Sequence, residues 1–577
     1  MLEDVAVVAR DGTRLSARVW LPDETPAPAI LEANPYRKDD ATRERDAARH
    51  PAFAAAGYVS VRLDLRGSGA SDGTFRDEYD AQEQADVDDA IAWLAAQPWC
   101  DGSVGMIGLS WGGFAALQAS ARRPPALKAV VAVGASGDRY GGDVKYRGGA
   151  VLAAELLPWA STVLAENARP PSGAASDARR REQWLERLDV LRSPAEIWLA
   201  HQRRDAYWDV GHVERVGCPA LLAGGWSDAY RDAAFDLGGE TSAVVGPWAH
   251  AYPDEAAPSP QVDFTAICID WWDAVLRRGA PPEPHLVAWL QEGLRPEEQS
   301  HARRGARLVP EATTSESLVL DGGGSVEPDE TVGIAAGAVV PWGTPDDWPG
   351  DQRVDDARSV TFETTPLDRP LALLGFPRLR VRVRSPLVAA RLGHVWPDGS
   401  TTLLARGFAT GVDGELELRL SALGYRIPAG HRLRVALSPR YWPWLWPPAT
   451  QAPLVTDGPL ELQLPRLDAA AEQELPTLPP REPSKPSRRS ARHGLVRVDR
   501  SSGADEHVDE FEIEADDPLS ARVRCTRSLT VGTARVETSS AMEADSREFH
   551  VSNRLRATDG GTTVYESERT VSVPRTA

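Results

Sequence analysis

Four short apolar runs, Ala29–Ala33, Val59–Leu63, Val104–Leu109 and Ala129–Val133, alternate with helical stretches through the first 135 residues. Runs of this length, without a polar face, suit strands buried on both sides. Arg45–Ala56 has helical character. Glu83–Gln97 places Val87, Ala90, Ile91 and Leu94 on one stripe, and a further helix is expected from Gly112 to Ala121. Upstream, Val5–Ala9 and Leu15–Leu21 flank the turn Asp11-Gly12 as a hairpin would. A strand–helix–strand alternation leaves few solutions, and the expected class is α/β with a mostly parallel sheet covered by helices.

The alternation then changes. Between about Asp138 and Glu214, Trp184, Leu185, Leu188 and Leu191 keep a helical period and no strand stands out, so a helical insertion is expected. The α/β pattern resumes at Pro219–Gly225 and Ala243–Gly246 and closes with a helix over Ile267–Leu276. After about residue 310 the runs Leu379–Val383, Leu392–Val395, Leu416–Leu420 and Leu433–Leu437 predict short, turn-bounded strands of a β-sandwich. Residues 475–493, rich in Pro, Arg and Ser, predict a linker or an extended crossing, and Leu495–Val573 alternates apolar and polar residues as further sheet does. The 577 residues thus divide into a core (1–137 and 215–280), a helical insertion (138–214), a sandwich (310–474) and an additional β-rich region (494–577).

Composition narrows the partners. A net charge of −20 argues against a nucleic-acid partner and against docking on anionic lipid, both of which need basic patches. Only Lys38, Lys128, Lys145 and Lys485 are lysine, and arginine supplies the other basic residues, which reads as compositional bias. Cys100, Cys218, Cys268 and Cys525 form neither a CxxC motif nor a disulfide framework. The N-terminus lacks a signal-peptide pattern and no apolar stretch approaches 18 residues, so a cytoplasmic location and no membrane association are expected. No HExxH or clustered Cys/His pattern calls for a metal, and no cofactor is expected.

The chemistry concentrates in Gly108-Leu109-Ser110-Trp111-Gly112-Gly113, directly after an apolar run and directly before a helical pattern. That is the strand–turn–helix context of a nucleophile elbow. The glycines let flanking backbone pass closely, Ser110 is exposed at the C-terminal edge of the sheet, and the Trp111 N–H faces a developing oxyanion. A serine hydroxyl needs a base oriented by an acid, and in this fold both follow later strands. Asp228 ends the run Ala220–Gly224 and Gly225-Trp226-Ser227, with Asp205, Asp209 and Asp232 as competitors. His250 follows Ala243–Gly246, whereas His201 and His212 lie in the insertion and His285 and His301 beyond the core.

These motifs carry a resemblance over nearly the whole chain. Asn34-Pro35-Tyr36-Arg37, Asp64-Leu65-Arg66-Gly67-Ser68-Gly69-Ala70-Ser71, the GLSWGG elbow, Gly224-Gly225-Trp226-Ser227-Asp228 and Gly246-Pro247-Trp248-Ala249-His250 stand in order. Phe362-Glu363-Thr364 to Pro370, Ala429-Gly430-His431-Arg432-Leu433 and Tyr441-Trp442-Pro443 continue the series. The sequence resembles the CocE/NonD serine hydrolases, the group of cocaine esterase, α-amino-acid ester hydrolase, glutaryl acylase and X-Pro dipeptidyl-peptidase. The resemblance implies an α/β-hydrolase core, a helical cap insertion and a C-terminal jelly-roll β-sandwich. It also implies Ser110 as nucleophile, Asp228 as acid, His250 as base, and the Tyr36 hydroxyl as the second oxyanion-hole donor beside the Trp111 N–H. Tyr36 follows the run Ala29–Ala33, the place from which such a donor is normally supplied. One departure is Lys145, where relatives carry a histidine, which bears on substrate recognition and not on the triad.

The expected activity is hydrolysis of an ester or amide of a small substrate, or of a short peptide, through an acyl-enzyme. The alternatives are an X-Pro exopeptidase and, in another class, a non-catalytic binding protein with a degenerate core. A homo-oligomer is left open. The Asp64–Ser71 segment lacks the Gly-Lys-Ser/Thr of a phosphate loop, so Asp64 and Arg66 are expected to brace the loop beside the elbow. The aromatic run Tyr441–Trp446 is expected to form a seam between sandwich and core, and Arg179-Arg180-Arg181 a solvated helix face.

Overall fold

Asp11 and Gly12 close a tight turn, and β1 (Leu2–Val8) and β2 (Arg14–Trp20) pair antiparallel on either side of it. The computed structural model describes residues 1–172, 177–298, 303–481, 483, 486–492 and 494–576. The predicted buried runs form β3 (Ala27–Asn34), β4 (Val59–Asp64), β5 (Cys100–Leu109) and β6 (Leu127–Val133). β3 is buried at every position, because parallel strands under helices have no solvent face. The covering helices are α1 (Arg43–Ala55), α2 (Ala81–Ala95) and α3 (Trp111–Arg122). Asp80 starts α2 by accepting a hydrogen bond from the Glu83 N–H, an N-cap in the usual sense.

A two-residue hairpin, β7 (Tyr146–Arg147) and β8 (Ala150–Val151), opens the insertion where sequence periodicity signals none. Such short strands carry too few residues to show a period. Helices α4 (Leu156–Asn167), α5 (Asp177–Val190), α6 (Ala195–Ala200) and α7 (Ala206–Asp209) follow. The chain returns to the sheet as β9 (Ala220–Gly225) and β10 (Thr241–Gly246), with α8 (Ala233–Asp236) between them and α9 (Phe264–Trp272) behind. A further strand, β11 (Leu286–Glu292), runs parallel to β10. The resulting order is β1-β2-β4-β3-β5-β6-β9-β10-β11, with the strands from β4 onward parallel. This is an α/β-hydrolase core.

β11 also pairs antiparallel with β12 (Gly305–Leu320), so hydrogen bonding continues from the core into an antiparallel sandwich. Its other strands are β13 (Gly324–Val326), β14 (Val360–Glu363), β15 (Leu371–Gly375), β16 (Arg378–Val395), β17 (Thr401–Arg419), β18 (Leu423–Ile427), β19 (Arg432–Ser438) and β20 (Leu454–Glu472). The runs Leu379–Val383 and Leu392–Val395 are not separate short strands, as expected, but two halves of β16. Pro386 lies between them, and β16 changes partner around it, from β20 up to Arg384 to β19 from Ala389. A residue without an N–H is tolerated where the ladder is already interrupted.

The end of the predicted linker, part of which lies outside the described residues, is not extended chain but the first strand, at Arg488–Arg492, of a second sheet of seven antiparallel strands. They are β21 (Arg488–Arg492), β22 (Leu495–Asp499), β23 (Glu506–Glu514), β24 (Asp517–Val531), β25 (Ala534–Ala544), β26 (Glu548–Asp559) and β27 (Thr562–Pro574). Its apolar face closes over the helical insertion: Phe511, Val523 and Phe549 share a cluster with Leu157, Trp198 and Trp208. Among the described residues no helix is long and apolar enough to cross a membrane.

Candidate active site

The turn from β5 into α3 holds Ser110 at φ 56°, ψ −120°, a conformation that costs an L-residue of order 1–3 kcal/mol and persists only where its surroundings impose it. The cause is crowding. A Cβ on Gly108 would sit 2.1 Å from the Gly112 carbonyl carbon, so only glycine lets the strand end and helix start pass this closely. The Ser110 N–H donates to Val133 O at 2.9 Å, which ties the turn to β6, and its hydroxyl makes no helix-capping bond.

Tyr36 lies beside it, at the end of β3. Its backbone N–H donates to Asn34 Oδ1 at 2.9 Å, and Asn34 Nδ2 in turn donates to Glu32 Oε1 at 3.0 Å. Burial pushes the phenol pKa upward, while hydrogen bonds with the Ser110 side chain and the Trp111 backbone amide act to lower it. The phenol thus lies close to both the Ser110 side chain and the Trp111 amide. The Trp111 indole is fully buried and donates to Glu83 Oε1 at 2.8 Å. Tyr36 meets the Trp111 ring edge-on, with centroids 6.4 Å apart.

The second half of the arrangement comes from the loops after β9 and β10. His250 Nδ1 lies 3.0 and 3.1 Å from the two Asp228 carboxylate oxygens. The Tyr230 N–H donates to Asp228 Oδ1 at 3.2 Å, and the His250 N–H donates to Pro341 O at 3.2 Å. The two halves join at the end of β6. Val133 accepts the Ser110 N–H, and a Cβ on the next residue, Gly134 (φ 52°), would lie 2.9 Å from Asp228 Oδ2 and 3.0 Å from His250 Nδ1.

The competing residues have other partners. His201 pairs with Asp205 at 2.7 Å, His212 approaches Glu214 at 3.9 Å, His285 Nδ1 lies 2.9 Å from Glu283 O, and His301 is outside the described residues. Asp232 accepts the Ala422 N–H at 2.8 Å, and Asp209 is exposed. Asp64 accepts the backbone N–H groups of Lys38 at 2.8 Å and Ala70 at 3.2 Å, while Arg66 grips Asp86 and Asp11. Both brace this loop, as expected.

Sequence reasoning missed an ion cluster behind His250. Lys145 Nζ lies 2.6 Å from Glu78 Oε2 and 2.5 Å from Asp143 Oδ2, and Tyr230 donates its hydroxyl to Asp143 Oδ1 at 2.8 Å. The Tyr230 ring stands 5.3 Å from the His250 ring. Burial works against the Lys145 charge, but Asp143 and Glu78 outweigh it and hold the ammonium protonated. The departure noted at Lys145 is thus a structural device, joined to His250 through Tyr230. No spacing signal marks it, because its members come from three separate segments.

Glu32, Asp46 and His50 gather metal-type donors, but cations already occupy the carboxylates. Arg45 lies 2.7 Å from Glu32 and 2.8 Å from Asp46, and Arg62 lies 3.2 Å from Asp46. The donor set fits an ion-pair network rather than a metal.

Comparison with known proteins places this geometry. Residues 11–252 match the family described as X-Pro dipeptidyl-peptidase (S15 family), and residues 278–461 match the X-Pro dipeptidyl-peptidase C-terminal non-catalytic domain. Cocaine esterase from Rhodococcus sp. (strain MB1 Bresler) is 32% identical over 282 residues, 43% of this chain and 48% of that protein. The chain thus matches about half the length of that relative. An α-amino acid ester hydrolase structure superposes with a TM-score of 0.57 at 19% identity, over 82% of this chain and 96% of that one. A CocE/NonD family hydrolase from Staphylococcus aureus gives 0.56 at 15% identity, over 81% and 93%. With the ordered motifs and the two matched regions taken together, the chain is similar to the CocE/NonD hydrolases, and the solved structures show that it shares their fold.

Proposed function

We propose that the protein is a serine acyl hydrolase with Ser110, His250 and Asp228 as its triad and with Tyr36 and the Trp111 N–H as its oxyanion hole. The observation that carries this reading is the His250–Asp228 pair packed against Gly134, next to the β6 residue that accepts the Ser110 N–H, with Tyr36 close to Ser110 and the Trp111 amide. In the proposed reaction the Ser110 oxygen attacks an ester or amide carbonyl carbon and His250 takes the hydroxyl proton. Asp228 orients the imidazole and stabilises its cation. The carbonyl oxygen becomes an anion held by Tyr36 and Trp111. The tetrahedral species collapses, the leaving group departs with the proton from His250, and water attacks the acyl-enzyme by the same route to release the acid and restore Ser110. The groups named are all on the chain.

The test is labelling with a fluorophosphonate together with pre-steady-state hydrolysis of a p-nitrophenyl ester. Label on Ser110 and a burst that Ser110→Ala abolishes are expected. A full burst in a folded Ser110→Ala protein refutes the assignment. The S15 match favours one second reading, an exopeptidase acting on X-Pro peptides. X-Pro anilides turned over faster than esters would select it. We also divide the chain into core (1–137 and 215–280), helical insertion (138–214), sandwich (310–474) and additional β-rich region (494–577). A cytoplasmic location remains part of this reading, supported by Cys100, Cys218, Cys268 and Cys525 all being free thiols.

A further inference from the structure

A cavity of about 600 Å³ opens between the core, the start of the insertion and the sandwich. Asp228 and Tyr230 contribute to its wall, whereas Ser110, Trp111, Tyr36 and His250 do not, so it is distinct from the oxyanion site. Five arginines line it: Arg419 pairs with Asp236, and the other four are Arg147, Arg231, Arg303 and Arg406. Among the described residues none of these four has a carboxylate oxygen within 4.0 Å.

Their hydrogen bonds go to neutral acceptors. Arg147 donates to the carbonyls of Gly141 and Asp143. Arg231 donates to Trp226 O at 2.7 Å and to the Ser421 hydroxyl. Arg406 lies 3.7 Å above the Trp444 ring and donates to Ala336 O at 3.2 Å. Arg303 is 5% exposed, and among the described residues its Nε and Nη1 have no hydrogen-bond partner. Buried guanidinium groups without counter-charge are costly, and so is a buried donor left unpaired. Burial depresses all four arginines, Arg303 to about 9 and Arg406 to about 10.

The acids in the same wall are committed elsewhere. Asp347 accepts the backbone N–H groups of Trp342, Gly343 and Thr344 and the Ser487 hydroxyl. Asp236 pairs with Arg419, Asp138 with Arg204 and Asp228 with His250. Asp232 accepts the Ala422 N–H, and the Glu214 side chain is 88% exposed. A volume of this size suits a small organic ligand, and planar guanidinium forks match carboxylate and phosphate oxygens.

We propose that this cavity binds a small organic anion through a carboxylate or phosphate group held by Arg147, Arg231, Arg303 and Arg406. The site stands whether or not Ser110 is the nucleophile. The experiment is calorimetric titration of the full-length protein with citrate and, separately, with inorganic phosphate, at fixed ionic strength and with glycerol as the neutral control. Saturable one-to-one binding of either anion is expected, and which one binds identifies the preferred group. Arg303→Gln and Arg406→Gln should each weaken it by about tenfold or more. Hydrogen exchange on the wild-type protein should show citrate or phosphate protecting the segments around Arg231, Ala338 and Arg406, a readout that does not depend on the variants folding. Absence of binding by both anions, unchanged affinity in both folded variants, or protection confined to other segments overturns the proposal.

Discussion

Tyr36 lies close to the Ser110 side chain and the Trp111 amide, both of which act to lower its phenol pKa against burial. Burial disfavours the phenolate, so the hydroxyl stays protonated and available as a donor when a carbonyl oxygen gains charge. Tyr36→Phe should therefore reduce kcat by roughly 10²–10³-fold, the usual effect of losing one oxyanion donor. The melting temperature should change little. Steady-state kinetics with a p-nitrophenyl ester checks this, and a rate within threefold of wild type would remove Tyr36 from the mechanism. The neighbouring Glu83 makes a different prediction. Burial raises its carboxyl from 4.5 to about 8, against the opposing hydrogen bond from Trp111. A folded-state value above the unfolded one means the stability it contributes is complete below 4.5, declines as pH rises and is gone above about 8. His394, depressed to about 3 by burial, acts with the opposite sign but only below its ordinary value of 6.5. The unfolding free energy from urea titrations should therefore fall between about pH 6.5 and 8, with Glu83 contributing up to ~1.4 kcal/mol per pH unit, and Glu83→Gln should flatten that slope.

At the scale of elements, the first half of the site is local and the second is not. A strand end, a tight turn and a helix start bring Ser110, Gly108 and Gly112 together within five residues, so the elbow is readable from the chain. Asp228 and His250 are readable only as residues that follow buried strands. Their 3.0 Å contact needs β9 and β10 side by side in register. The Glu78–Lys145–Asp143 cluster links the loop before α2, the start of the insertion and, through Tyr230, the loop after β9. Its members are ordinary charged residues in sequence, and only burial gives them meaning. Lys145→Met would leave two buried carboxylates without their cation, a change expected to cost about 3–5 kcal/mol. Thermal unfolding should show a large drop in midpoint, and an unchanged midpoint would make the cluster dispensable.

Across the whole molecule, one aromatic run ties the pieces together. Tyr441, Trp444 and Leu445 join the hydrophobic cluster of the core, while Trp442 and Trp446 join that of the insertion and the C-terminal sheet. Trp442 is 6.4 Å from Phe511 and Trp446 is 5.4 Å from Phe549, centroid to centroid. The Trp446 N–H donates to Val151 O at 2.9 Å, and Leu445 bridges to Leu152. The seam expected between sandwich and core therefore extends to two further bodies. Trp442 is 1% exposed, and Trp442→Ala should cost about 3–5 kcal/mol through the cavity left behind. Denaturant unfolding should show a lower midpoint while Ser110 still takes the fluorophosphonate at low temperature. A loss below about 1 kcal/mol would mean that the interface closes around the gap.

By itself the sequence determined the α/β alternation, the strained serine turn and the order of the motifs, because each rests on interactions within a few residues or on the period of burial along one element. The length of the sandwich strands, the hairpin that opens the insertion, the caging of Lys145 and the arginine-lined cavity were decided only in three dimensions. In each of these the deciding quantity is desolvation or partner choice between segments remote in the chain. Charge type and spacing carry no record of which side chains will be buried together.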